Sequence, residues 1–328
     1  MMKTLRYFVA ALGSLLVSGA MASEVVALKF PHDLPENTIK ARTIKLFAEK
    51  VDEYSNGTLR IDVYPGAQLV SSKDEIRAAI RGQVDIVAPL TSYYVPLDDR
   101  WEIFNQPGLF NSFEHSIKVF EGEIGQTLLK DLDQFKVRGI GLWNDGPGYI
   151  YTSGEPVVKP EDMAGRKIRV TPSAPLEEGV RVVGASPVSI QAPDVYLALQ
   201  QGLVNGAITT VTLAASARWY EVLTGMTRVL QQHGGYAVVI NQARWDKLSE
   251  DHRNALMKAM ADAQKWNHDV SVSNSAAAEK TLVDNGVEIQ EVDGQVLAQW
   301  RDKYKSVYES QSEPVRKLIA EIQSAAGQ

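Results

Sequence analysis

A chain of 328 residues, 45% hydrophobic and 23% charged, is too well supplied with apolar side chains to be disordered and too long for one ordinary core, so two lobes are expected. Its formal charge of −6 excludes a general attraction for nucleic acid, and any anion must be caught by a local arrangement of cations. The absence of cysteine excludes disulfides, thiol nucleophiles and cysteine-ligated metals.

In chain order, Lys3 and Arg6 precede the apolar run YFVAALGSLLVSGA and the small-x-small triplet Ala20-Met21-Ala22, the pattern of a secretory signal cleaved before Ser23. The alternative, a membrane anchor, needs ~20 apolar residues, more than this run supplies. VVALKF from Val25 predicts a strand. The next stretch spaces Ile39, Ile44, Phe47, Ala48 and Val51 on one helical face and stops at Asn56-Gly57. TLRIDVYP alternates as a strand, and a helix from Ser72 to Arg81 leads through Gly82 into a short strand over Val84–Val87. Strand and helix alternating in this way predict an α/β lobe with parallel pairing. SFEHSIKVFEGEIGQTLLKDLDQF reads as helical and VRGIGLW, from Val137, as a strand.

A second α/β unit begins near Gly146. GYIYTS and KIRV read as strands, APLEEGVRVVGA as a helix, and Asp194 to Gln201 as a helix stopped by Gly202 before another strand. Helix, glycine and short apolar strand thus occur at Ala78 to Val87 and again at Ala198 to Ile208, which suggests two similar halves. HGGY, from His233, reads as a turn. Ser249 is a suitable N-cap for a helix that nothing interrupts until Asn285-Gly286, on the order of 50 Å long and able to span both lobes.

Catalytic signatures are missing. There is no H-E-x-x-H, G-x-S-x-G, phosphate loop or dinucleotide fingerprint, and the five histidines are scattered. The carboxylate pairs Asp74/Glu75, Asp98/Asp99, Glu161/Asp162 and Glu177/Glu178 sit at helix starts or in loops, where acidic residues complement the helix dipole. No enzyme activity, cofactor or metal is expected.

The unusual stretch is RKIRV, three cations around one isoleucine. Alternation sends Arg166 and Ile168 to one side and Lys167 and Arg169 to the other. Arg169 lies between Ile168 and Val170, where a guanidinium held by a sheet can grip a carboxylate with two parallel hydrogen bonds. From the residues alone a surface or interlobe ion pair explains it slightly better.

The run GRKIRV…GASPVSIQAPDVYLALQQGLVNG resembles the periplasmic solute-binding proteins of tripartite ATP-independent periplasmic (TRAP) transporters, of the dicarboxylate-binding type. FAEKVDEYSNGTLRIDVYPGAQL, AAIRGQVDIVAP, QPGLF, KPEDMAGRKIRV and RWDKLSEDHRNAL extend the resemblance from residue 25 to about 310. It implies an α/β, two-lobed periplasmic-binding-protein fold with a long interlobe C-terminal helix. It also implies a periplasmic location, a small-molecule carboxylate as ligand, Arg169 as its main holder, and delivery to the membrane subunits of a TRAP transporter. The expected division is a signal peptide over 1–22, lobe I over 23–146 plus 235–274, and lobe II over 147–234 plus 275–328. A monomer is expected, with hinge strands near Gly146 and Gly234-Gly235.

The chain departs from the family pattern where the ligand is chosen. Thr209 stands where related sequences carry an asparagine, Gly148 or Tyr149 where many carry an arginine, and Ala192 where an aromatic residue is common. One cation fewer leaves a second carboxylate unpaired, at a cost of several kcal/mol. The expected ligand is therefore a monocarboxylate with a hydroxy or keto group, or with an apolar or aromatic body against Tyr149 and Tyr93/Tyr94, tyrosines that serve equally well as core or rim. His32 with Asp33, Glu75, Ser92 and Tyr93 from the first lobe, and Tyr236, are further candidates for the pocket. Two other readings share these features: a module presenting its solute to a membrane receptor, and an exported hydrolase or isomerase, for which no motif is present.

Overall fold

The computed structural model describes residues 25–326, so the expected signal segment lies outside the described residues. Strand β1 (Val26–Pro31) runs parallel to β2 (Leu59–Tyr64), and α1 (Ile39–Tyr54) connects them. Thr38 caps α1 by accepting from the Ala41 N–H. Ile39, Ile44, Phe47 and Val51 are buried, as their spacing predicts, and so is Lys40, one turn before Ile44 on the same stripe. A 3₁₀ turn over Ser72–Asp74 leads into α2 (Glu75–Ile80), and Gly82 at φ +70° turns the chain towards β3 (Ile86–Val87). The stretch expected as one helix is two, α3 (Phe113–Glu121) and α4 (Glu123–Asp131), because Gly122 adopts an extended backbone between them.

The chain then crosses the molecule in β4 (Val137–Thr152) and builds the second unit from β5 (Lys167–Val170), α5 (Ala174–Val182), β6 (Ser186–Ser189), α6 (Ala192–Gln200), β7 (Gly206–Thr210) and α7 (Val211–Ser216). It returns in β8 (Gly225–Asn241) and continues through α8 (Gln242–Asp246), α9 (Glu250–Asp284), β9 (Glu288–Gln290), α10 (Gly294–Glu309) and α11 (Glu313–Ala326). Seven strands form one sheet in the order β3-β8-β4-β7-β5-β6, with β9 beside β8. Pairing is parallel within the units, at β1/β2, β5/β6 and β5/β7, and antiparallel where the crossing strands meet β3, β7 and each other. This is a two-lobed α/β architecture, with one apolar core around Phe30, Phe47 and Trp143, another around Ile168, Trp300 and Tyr304, and a third, more extensive one that takes in Trp101, Phe104, Val211 and Trp219 from both units.

Two sequence expectations need correction here. VRGIGLW and GYIYTS are parts of one 16-residue strand, and HGGY is no turn but the middle of the 17-residue β8. The glycines serve close approach. Gly146 faces Gly234 across the pair, a Cβ on Gly234 would meet the Thr210 methyl and lie 2.8 Å from the Gly146 carbonyl oxygen, and one on Gly235 would lie 2.8 Å from Phe120 Cζ. Gly234→Ala is therefore expected to destabilise the fold by roughly 1–3 kcal/mol through overpacking. A thermal melt checks this; an unchanged midpoint would mean the crossing strands separate freely.

The long helix forms as expected. α9 has 35 residues, and the Ser249 hydroxyl caps it by accepting from the His252 N–H. Midway along it, Asn267 clamps the crossing strand: its Oδ1 accepts from Asn144 N at 2.6 Å and its Nδ2 donates to Asn144 O at 2.9 Å.

Candidate ligand cleft

Lys167 lies at the exposed edge of β5, while Ile168, Arg169 and Val170 are buried. The Arg169 side chain, 1% exposed, is held by the backbone of two neighbouring segments: Nε donates to Ile190 O at 2.9 Å and Nη1 to Ile208 O at 3.2 Å. The Trp219 ring centre lies 5.8 Å from its Cζ. No ion pair among the described residues involves Arg169, and Nη2 makes no hydrogen bond to them. Burial pushes its pKa down to about 10, with only the Tyr93 phenol acting against that, so it stays protonated at neutral pH. A buried cation fixed by carbonyls, with donors to spare, is prepared for an anion from outside.

Arg169 lines a partly open cavity of about 40 Å³. Thr171, Gln191, Ala192, Thr209 and Thr210 line it on the Arg169 side; Asp33, Lys40, Ser72, Leu90 and Tyr93 line it on the other. Asp145, Gln232 and Tyr236 come from the crossing strands. Tyr93 donates to Gln191 Oε1 at 2.6 Å, joining the two sides across the cavity. Thr171 Oγ1 and Gln232 Oε1 are buried there without a protein partner. Asp145 accepts from the hydroxyls of Thr210 at 2.6 Å and Thr212 at 3.0 Å, and burial raises its pKa against those bonds.

The second cation is Lys40. Its Nζ lies 3.5 Å from Asp33 Oδ1, 3.9 Å from Glu75 Oε1 and 4.9 Å from the centre of the Tyr236 ring. Burial pushes Asp33 upward, but the Lys40 charge and the Ser72 hydroxyl, which donates to Asp33 Oδ2, outweigh it and hold the carboxyl below its ordinary range. Glu75 goes the other way. It is fully buried with neither oxygen hydrogen-bonded, and burial pushes its pKa up to about 8 despite Lys40. Of the two acids beside Lys40, Asp33 is thus the one held ionised, while burial favours the protonated form of Glu75.

The sequence pattern of bacterial extracellular solute-binding proteins, family 7, the DctP family, matches residues 30–314. The chain belongs to this family. It is 30% identical over 320 residues, covering 96% of this chain and 95% of the relative, to the C4-dicarboxylate-binding periplasmic protein DctP of Rhodobacter capsulatus. Among solved structures, a TRAP periplasmic solute-binding protein from Shewanella oneidensis with bound succinate superimposes with a TM-score of 0.87 at 27% identity, covering 93% of this chain and all of that one. Another, from Sulfurospirillum deleyianum and also with succinate, gives 0.83 at 27% identity over 92% and 99% of the two chains. As a DctP-family member the protein is a TRAP-type solute-binding protein and not an enzyme.

Of the residues expected in this binding protein's pocket, Arg169, Thr209, Tyr93 and Tyr236 line the cavity. Glu75 sits behind Lys40 rather than on the wall. His32 is buried at the end of β1, and Ser92 in the 3₁₀ turn over Thr91–Tyr94; neither reaches the cavity, and His32 Nδ1 and Ser92 Oγ have no partner. Gly148 makes room for the Gln232 side chain, which does line it. Tyr149, beside a register shift in β4, opens onto a separate surface cavity with Arg228 and Arg301, and Tyr94 is fully buried and donates to Ala237 O at 2.7 Å. No aromatic bed formed by Tyr149 and Tyr94 exists here.

Lys40, Ser72, Thr171, Gln191 and Gln232 went unpredicted. For Lys40 a signal existed, a cation four and seven residues ahead of Ile44 and Phe47 on an otherwise apolar stripe.

Proposed function

We propose that the protein captures a small organic acid with one carboxylate and a hydroxy or keto group in the periplasm and delivers it to the membrane subunits of a TRAP transporter. The observation that carries this reading is Arg169: buried, charged, fixed by the Ile190 and Ile208 carbonyls, without a carboxylate partner among the described residues, and lining the cleft cavity. The relatives named for C4-dicarboxylates and the succinate complexes support an organic acid as ligand. One carboxylate, rather than two, suits a cavity whose other cation is already matched by Asp33. Thr171 Oγ1 and Gln232 Oε1 supply a donor and an acceptor for the remaining polar group.

In this reading the lobes divide at Gly146 and Gly234-Gly235, giving 23–146 plus 235–274 and 147–234 plus 275–328. Ligand touching both sides shifts the population towards the closed form, which the Tyr93–Gln191 bond already bridges. The test is calorimetry on a panel of lactate, glycerate and pyruvate against succinate and malate. One of the first three should bind most tightly; tightest binding of succinate or malate overturns the monocarboxylate assignment.

A further inference from the structure

The cavity holds a second cation and hides it. The Lys40 side chain is 2% exposed and lines the same cavity as Arg169, yet Asp33 stands 3.5 Å from its Nζ with its other oxygen bound by Ser72. Ser72 fixes the carboxylate in place, and α1 fixes Lys40 on its buried stripe. Glu75, the only other acid within ion-pair distance of Lys40 among the described residues, sits farther away at 3.9 Å, is buried without a hydrogen bond, and is pushed by that burial towards its protonated form.

We infer that Asp33 is the specificity-determining residue that sets the charge of the captured acid, masking Lys40 so that only Arg169 is offered to a carboxylate. The inference rests on the assignment of Arg169 as the carboxylate holder and names a role that the assignment alone does not require. Its physical content is a balance of charge. With Asp33 ionised, a second ligand carboxylate approaching Lys40 meets a fixed negative charge and must compete for the ammonium. With Asp33 replaced by a neutral group, the fixed negative charge nearest Lys40 is gone, and only Glu75, 3.9 Å away and behind the ammonium, and Asp145, already engaged by Thr210 and Thr212, compete with a ligand carboxylate for it, which suits a dianion. Selection therefore comes from a repulsive element as well as from the arginine's attraction.

The experiment measures succinate binding by calorimetry at pH 7 for the wild-type protein, Asp33→Asn and Asp33→Ser, with circular dichroism to confirm folding. Two variants are used because asparagine keeps the shape and serine removes it, so a folding defect in one leaves the other to report. At least one folded variant should bind succinate tenfold or more tighter than wild type, while its affinity for the best monocarboxylate of the panel rises by less. Succinate affinity unchanged or weakened in the folded variants overturns the role of Asp33. Failure of the Arg169 assignment looks different. If Arg169→Ala binds the panel as well as wild type does, the carboxylate is held elsewhere, whatever the Asp33 variants do.

Discussion

Arg169→Ala is expected to weaken binding of the captured acid by roughly 2–5 kcal/mol, a loss of about 30-fold to several-thousand-fold. The size follows from what the side chain has already given up. It is desolvated in the protein, two of its N–H groups are committed to the carbonyls of Ile190 and Ile208, and its charge is matched by no side chain, so the ligand's carboxylate receives nearly all its remaining attraction. Truncation also leaves that carboxylate buried without a partner, which is why the loss exceeds that of an exposed ion pair. Arg169→Lys should recover little, since an ammonium cannot hold the two carbonyls and present parallel donors at the same time. Calorimetry with the best acid of the panel reads the effect. Affinity within threefold of wild type in the alanine variant removes Arg169 from the site.

The second large effect concerns stability. Glu75 is fully buried, burial pushes its pKa from 4.5 up to about 8, and neither oxygen has a hydrogen bond. Between these two values the folded protein keeps a proton that the unfolded chain has released. Stability therefore falls as pH rises from about 4.5 to about 8, and the full penalty applies above that. Glu75→Gln removes the titration while keeping the shape. The variant should match wild type below pH ~4.5 and exceed it by roughly 2–4 kcal/mol at pH 8, since each tenfold difference in proton affinity between the folded and unfolded chain is worth about 1.4 kcal/mol. Denaturant unfolding across this range measures the difference. A gap that does not change with pH would mean that Glu75 does not hold the extra proton.

The elements whose signals are local were legible in the sequence. α1 and α9 carry their own caps and breakers, and β5 was readable because its apolar residues and cations share four positions. β8 was not. Nearly every residue of it is buried, so a central strand with both faces covered shows no alternation, and its glycines imitate a turn when their purpose is contact with Gly146, Thr210 and Phe120. The site divided the same way. Arg169 came from the family resemblance, since its residues alone also fitted an ion pair, whereas Gln191 and Gln232 reach the cavity only when its two sides meet. Tyr149 was misplaced because β4 shifts register between Gly148 and Ile150, a change no sequence period records.

β8 also governs how the chain matures. It is flanked by β3 and β4, and the register Ile86 to Ile240 joins residues separated by more than 150 positions. The sheet's middle therefore stays open until the chain has been synthesised past Asn241, and the large loop must close before its contacts return any free energy. Such an order of events makes folding slow and late.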